Sequence, residues 1–350
     1  MIQSLREYWL FLVSTPLYII VIGVELVLSN LKKQELYSFK DTAQNIYLML
    51  ANMTIDLMFR AIYLFILDVC YQHRWITVEN VVVYWIGLVI VEDFLYYWLH
   101  RFDHEIRLFW AVHVTHHSST KYNFTVGFRS SVFEPLYRFI YFLPLAFLGA
   151  RALDIAFIYS LTQIWGLFAH TQTIKKMAWL EYILVTPSHH RVHHAVNPKY
   201  LDKNMGMLLI IWDKLFGTFQ AELPVEEYQP IRYGLTTNIS TVNPINLIFH
   251  EWNNMWKDLK QNISWKRKWK YIFGPPGWSH DGSRQTSKQL LAHEEKLKKD
   301  KTVALMNSEQ GMMSVEKIDV LHFLAHEEKS KKEKTVALMN IEQGTRNNEC

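Results

Sequence analysis

Apolar residues run almost unbroken from Trp9 to Leu28, with Pro16 inside the run and Glu25 near its end. At ~20 residues this is long enough to cross a bilayer as one helix. Ala43 to Cys70 is a second apolar segment, interrupted by Asp56 and Arg60, whose spacing of four predicts a pair on one helix face. Val81 to Leu99 is a third, ending in Tyr96, Tyr97 and Trp98, where a membrane interface favours aromatic rings. Two shorter runs, Tyr137 to Leu148 and Leu153 to Phe168, flank Gly149, Ala150 and Arg151 and predict a hairpin of short or re-entrant helices. The pattern therefore predicts an all-α protein, an integral, multi-pass membrane bundle of four or five apolar helices.

The lysines and arginines orient that bundle. If both short runs cross, Lys32, Lys33, Lys40, Arg101, Arg107, Lys121, Arg129 and everything after His170 share one side, leaving Arg6, Arg74 and Arg151 opposite. Positive loops face the cytosol, so the expected picture is a cytosolic, histidine-rich helical cap on an ER membrane or a bacterial inner membrane. The first run is too long for a cleaved leader and reads as a retained anchor. Met205 to Phe219 is apolar but short, and is expected to lie against the membrane.

After Gly277 the composition turns charged. Leu291 to Gly311 recurs, with few changes, as Leu324 to Gly344, a tandem duplication offset by 33 residues. Two copies are too few for a solenoid, so a flexible or helical appendage is expected. Four regions follow: N-terminal spans over 1–80, a catalytic unit over 81–222, its C-terminal part over 223–277, and the charged tail over 278–350. The mean hydropathy of −0.04 averages an apolar front half with that tail.

Composition narrows the chemistry. Only Cys70 and Cys350 occur, which excludes a disulfide framework and a cysteine-held metal. The net charge of +4 is modest, and the basic residues lie beside apolar segments or in the tail, which suits lipid headgroups and gives no basis for nucleic-acid binding. Histidine is the exception to this plain composition. His100 and His104 form His-x-x-x-His; His113, His116 and His117 form His-x-x-His-His; and His190, His193 and His194 repeat the latter. Spacings of three and four put imidazoles one turn apart, so each cluster is expected to aim two or three nitrogens at a common point.

Eight such nitrogens exceed what one ion takes, which predicts two metal ions. His170, at the end of the fifth apolar run, is expected to be a ninth ligand. Imidazole suits iron, and iron with dioxygen supplies the oxidant that an unactivated lipid C–H bond requires. Asp93, Asp103 and Glu105 lie close enough in sequence to orient imidazoles from behind. His189 is expected to support the third motif without ligating, and His250 is a weaker candidate. His73, His280, His293, His322 and His326 are expected to be solvated. Asp213, in the run Trp-Asp-Lys-Leu-Phe-Gly, is expected to cap a turn.

The runs HRFDHEIRLFWAVHVTHHSS, from His100 to Ser119, and TPSHHRVHH with the following DKN and IIWDKLFGTF, from Thr186 to Phe219, resemble the fatty acid hydroxylase and sterol desaturase superfamily. The resemblance covers roughly Val81 to Glu222. It implies a membrane di-iron enzyme with the histidines as ligands, a membrane lipid as substrate and an electron donor as partner. Within the superfamily the runs are most similar to a subgroup that hydroxylates the ether-bearing carbon of alkylglycerols with tetrahydrobiopterin as reductant, and Glu105 matches a glutamate of that subgroup. The chain departs from it at Thr120 and Lys121, where the subgroup carries an acidic pair, just before Tyr122 and Asn123; Asn123 is placed among the supporting residues.

The lipid chain is expected to enter between the third, fourth and fifth apolar segments, beside Trp98, Phe128 and Trp165. Two rivals stay open: a desaturase acting on a sterol or fatty acyl chain, and a histidine-rich membrane protein that binds or transports metal without oxidation.

Overall fold

The computed structural model describes residues 2–239 and 243–309, of which the former and the start of the latter, to Lys288, form one compact unit with residues from Gln289 on forming a second. Eleven α-helices are described: α1 (Ile2–Leu31), α2 (Phe39–Gln72), α3 (Val81–Glu105), α4 (Arg107–His117), α5 (Arg138–Phe147), α6 (Ala152–Ala169), α7 (Pro187–His193), α8 (Ile211–Phe216), α9 (Pro244–Leu259), α10 (Trp265–Phe273) and α11 (Ser287–Glu309). The described residues contain no strand, only the isolated bridges Leu184–Leu209 and Ala195–Tyr233.

Three helices are long and apolar enough to cross a membrane: Leu12–Leu31 of α1, Val81–Glu105 and Ala152–Ala169. Their outer faces carry an exposed apolar belt, such as Ile19 (68%), Val81 (65%) and Ile86 (56%), which only a lipid environment accommodates at this extent. The protein is therefore a membrane-associated helical bundle. Of the four or five apolar helices expected, these three have the length and hydropathy for a crossing. Helix α2 has the length but is punctuated by Asn45, Asn52, Asp56 and Arg60, and α5 has ten residues, only about 15 Å of helix.

Local chemistry sets the boundaries. Asn80 caps α3 by accepting from the Val82 and Val83 amides at 2.9 and 3.1 Å. The predicted hairpin is present as α5 and α6. Gly149 turns it with φ +91, a conformation disfavoured for a side chain, and a β-carbon there would meet the Ile76 carbonyl at 2.6 Å. One core lies among α2, α3, α5 and α6, with Leu67, Leu88, Leu99, Leu145 and Ile155 buried in it. Asp56 pairs closely with Arg138 of α5 and, at 3.9 Å, with its expected partner Arg60. The Met205–Phe219 segment is a loop followed by α8, whose Ile211 and Leu215 are 51% and 67% exposed. The first duplicated segment lies largely in α11; the second copy, His322 and His326 lie outside the described residues.

Candidate metal centre

Between α3 and α4 the helical path breaks at one extended residue, Ile106 (φ −117, ψ 118). That break lays α4 against α3 and brings two of the three histidine motifs together. The third arrives on α7, which a Thr186 capping box starts, and His170 sits at the C-terminal cap of α6. All nine expected ligands converge, in two groups whose ligating atoms lie within 4.8 Å of one another. The first holds His100, His104, His113, His117 and His193; the second holds His116, His170, His190 and His194. The groups adjoin, with His117 and His194 ring centroids 4.4 Å apart.

The motifs do not each serve one point, as their spacing had suggested. Residues i and i+4 share a group (His100 with His104, His113 with His117, His190 with His194), but the i+3 residue of each His-x-x-His-His crosses over. His116 joins the second group and His193 the first. On a helix, positions i+3 and i+4 diverge by about 100°, so adjacent histidines face adjacent centres.

Backbone acceptors fix the rings. His100 Nδ1 donates to the Met205 carbonyl at 2.8 Å, His116 Nδ1 to that of Arg129 at 2.8 Å, His170 Nδ1 to that of Gly166 at 2.8 Å and His193 Nδ1 to that of Lys203 at 2.9 Å. With Nδ1 committed as donor, each Nε2 carries a bare lone pair directed inward. His116 and His170 then point two such lone pairs at each other across 3.4 Å, and His193 Nε2 and His104 Nε2 are buried without a hydrogen-bond partner. Mutually facing, desolvated lone pairs are stabilised by a shared cation. Imidazole–metal bonds of about 2.1 Å give neighbouring ligand atoms roughly 3.0–3.4 Å apart, and the His100–His113, His113–His117, His170–His194 and His170–His190 Nε2 pairs lie at 3.2, 3.2, 3.1 and 3.0 Å. The donor set thus fits metal ions held by nitrogen. Burial, first, and neighbouring imidazoles push His113, His117, His190, His193 and His194 well below the ordinary imidazole value, and burial brings His116 to about 4, so these rings are neutral at neutral pH.

Of the supporting residues, Asp103 has a carboxylate oxygen 3.8 Å from His113 Nδ1, as expected, whereas Asp93 and Glu105 act differently. Asp93 touches no imidazole; its carboxylate accepts from the Leu208 and Leu209 amides and Trp212 Nε1 at 2.8–3.0 Å. Asp213 accepts from the Met205 and Gly206 amides at 2.7 and 2.8 Å, the turn-capping role expected of it. Together they pin the loop whose Met205 carbonyl holds His100. Glu105 is half exposed and turned to Arg101 at 2.9 Å, away from every ring. His189 serves the Thr186 cap, its Nδ1 3.3 Å from the Thr186 amide. Asn123 accepts from the Thr125 amide and donates to the Leu36 carbonyl, fixing the turn before Arg129. His250, His73 and His293 stand outside both groups, and His280, expected to be solvated, is partly buried against Tyr271 Oη at 2.7 Å.

Four contributors escaped sequence reasoning. Asp202 accepts from His104 Nδ1 at 3.3 Å, and Ser131 Oγ lies 3.1 Å from His113 Nδ1. Arg129 is buried and donates to the Thr115 carbonyl at 2.9 Å and to Asn45 Oδ1 at 2.7 Å, so its own carbonyl is held for His116. Glu25 accepts from the Phe124 amide at 2.9 Å, Tyr37 Oη at 2.6 Å and Thr173 Oγ1 at 3.0 Å, tying the end of α1 to the chain beside His170. These contacts join positions far apart in sequence, which no local pattern displays.

A cavity of about 600 Å³ opens on His100, His113, His116, His170 and His190. Phe128 lines it. Trp98 instead packs on Phe216, and Trp165 donates to the Val185 carbonyl. The cavity lies among α1, α2, α3, α5 and α6, a wider frame than the third to fifth apolar segments.

A membrane-associated helical bundle presenting two adjoining polyhistidine groups to a largely apolar cavity defines a narrow class of protein. Residues 85–218 match the fatty acid hydroxylase family model. It is 40% identical over 195 residues to the alkylglycerol monooxygenase of Homo sapiens, covering 55% of this chain and 42% of that protein. Against the alkylglycerol monooxygenase of Danio rerio it is 34% identical over 274 residues, covering 76% and 59%. A Delta(7)-sterol 5(6)-desaturase of Gibberella zeae is 25% identical over 169 residues, 46% and 47% of the two chains. The chain thus spans about half the length of the relatives it matches. No solved structure matches it.

Proposed function

We propose that the protein is a multi-pass membrane oxygenase that binds two iron ions through the nine histidines and hydroxylates a lipid C–H bond. The ether-bearing carbon of an alkylglycerol is the target that its similarity to alkylglycerol monooxygenases favours. The observation that carries this reading is the pair of adjoining imidazole groups, four of whose rings are locked by backbone carbonyls with Nε2 turned inward. Iron bound there would supply the activation of dioxygen that ordinary side chains lack.

The chain's own residues do the rest. Carbonyls at Met205, Arg129, Gly166 and Lys203 hold ring orientation, so the centre needs little rearrangement during turnover. The apolar wall excludes water and seats an alkyl chain whose reacting carbon faces His100, His113, His116, His170 and His190. Tetrahydrobiopterin or another electron donor would return electrons from the membrane surface bearing the histidines. The distribution of lysine and arginine favours the cytosolic face for that surface, at an ER or bacterial inner membrane.

The test is made on detergent-purified full-length protein. Elemental analysis is expected to give about two irons per chain, and incubation with an alkylglycerol, dioxygen and tetrahydrobiopterin to give a fatty aldehyde and glycerol. An alkenyl product would replace hydroxylation with desaturation. Absence of iron together with absence of lipid-dependent oxygen uptake would overturn the oxygenase reading.

A further inference from the structure

Helices α9 and α10 lie outside the family-matched residues and carry an uncovered apolar surface. On α9, Ile245, Phe249 and Trp256 are exposed, and their spacings of four and seven place them on one face. On α10, Trp265 (77%), Trp269 (60%) and Phe273 are exposed at successive spacings of four, and the Trp269 and Phe273 rings stack with centroids 5.0 Å apart. Tyr271 is the buried residue of α10. At 100° per residue the three aromatic positions lie roughly 120–160° from it, so their face is turned away from the protein. Helix α9 packs Ile248 on Leu48, Ala51 and Ile55 of α2, the stretch in which Leu50 and Met53 are exposed. The uncovered surface therefore starts beside the apolar outer side of the bundle.

The charge around this surface has one sign. From Lys257 to Lys270 there are six basic residues and one acid, Asp258, and Asp258 is taken by Arg107 and Arg284, both at 2.7 Å. Lys257, Lys260, Lys266, Arg267, Lys268 and Lys270 have no carboxylate partner among the described residues. Lys260 and Lys268 lie over the Trp256 and Trp265 rings at 5.3 and 5.6 Å, so cation and ring share one surface. By helical spacing, Lys266 and Lys270 border the aromatic face of α10 on one side and Lys268 borders it on the other.

Indole rings bordered by ammonium groups suit the headgroup layer of a bilayer, where the rings sit at the boundary and the lysine stems carry charge out to the phosphates. A second copy of the chain is a poor occupant. Every charge bordering the face is positive, so a symmetric contact would bring like charges together.

We propose that α9 and α10 form a platform lying in the plane of the membrane, seated on anionic phospholipid headgroups with Trp265, Trp269 and Phe273 entering the interface. Arg107, at the start of α4, bonds Glu251 and Asp258 of α9, so the lipid surface is joined through two ion pairs to a helix that carries three histidines. The inference needs the spans to hold the unit in a membrane; it does not depend on which metal is bound or which substrate reacts.

The test is a depth measurement by spin label on the full chain in nanodiscs, in a Cys70→Ser, Cys350→Ser background. One label enters through Trp269→Cys on the aromatic face and another through Arg267→Cys, roughly 160° around the helix. Collision with oxygen, which concentrates in the bilayer, is compared with collision with a water-soluble nickel chelate. In equal parts of phosphatidylcholine and phosphatidylserine, the label at 269 is expected to favour oxygen and the label at 267 the chelate. The oxygen preference at 269 is expected to fall about threefold in phosphatidylcholine alone, and as far when Lys266→Gln and Lys270→Gln are combined. Chelate access at 269 equal to that at 267 overturns the proposal, as does a depth at 269 indifferent to headgroup charge. Shielding of 269 from both reagents assigns the face to a protein partner and overturns it as well. Because the label replaces one ring, hydrogen exchange of the unlabelled chain gives a second reading: amides of residues 265–273 are expected to exchange more slowly in the mixed nanodiscs than in phosphatidylcholine, and equal exchange counts against the platform.

Discussion

At the scale of single residues, the decisive fact is that neighbours in sequence fall in different histidine groups. His193 and His194 are adjacent, yet the first joins the group of His100 and the second that of His170. His193→Ala and His194→Ala are therefore expected to lose different ions, each leaving about one iron per chain. Mössbauer spectra of the two variants should show two distinct residual sites, and identical residual spectra would contradict the allocation. The sequence displayed these histidines plainly, because three- and four-residue spacing is a helical signal. Their division was not legible, since two groups arise only where helices meet. Asp93 shows the converse limit. Its place seven residues before His100 marked it as important, but its work is done through the 205–209 loop, more than a hundred positions away.

At the scale of elements, α4 carries three of the nine histidines and is held from outside the family-matched region. Arg107, at its first turn, is buried and bonds Glu251 and Asp258 of α9, both at 2.7 Å; its amide also donates to the Gly274 carbonyl at 3.0 Å. Arg107→Met leaves two partly buried carboxylates without that partner, an expected loss of about 3–5 kcal/mol. Thermal unfolding in detergent should show a lower midpoint, with iron lost more readily to a chelator. An unchanged midpoint would mean that α9 does not brace α4. Nothing in residues 243–288 advertises this role. The sequence indicated only that a C-terminal part belongs with the catalytic unit, and the salt bridges that give that statement content join positions about 150 residues apart.

At the scale of the molecule, all nine histidines, the cavity and the three apolar spans lie within the unit ending at Lys288. A chain terminated after Lys288 is expected to keep the full iron content and lipid oxidation of the intact protein. Loss of either would assign the duplicated tail a part in the centre.

The sequence by itself determined the helical class, the membrane character and which histidines converge, because each is written in a short-range period: runs of apolar residues for the spans and one-turn spacing for the histidines. Only the tertiary structure decided that those histidines form two groups, that backbone carbonyls at Met205, Arg129, Gly166 and Lys203 orient four of them, that Glu105 faces away, and that charged residues of α2 and α5 line the cavity. The physical reason is common to all of these. Which groups meet across helices depends on the packing of distant segments, and orientation of a ring or balance of charge in a cavity is a property of that packing and not of any local pattern.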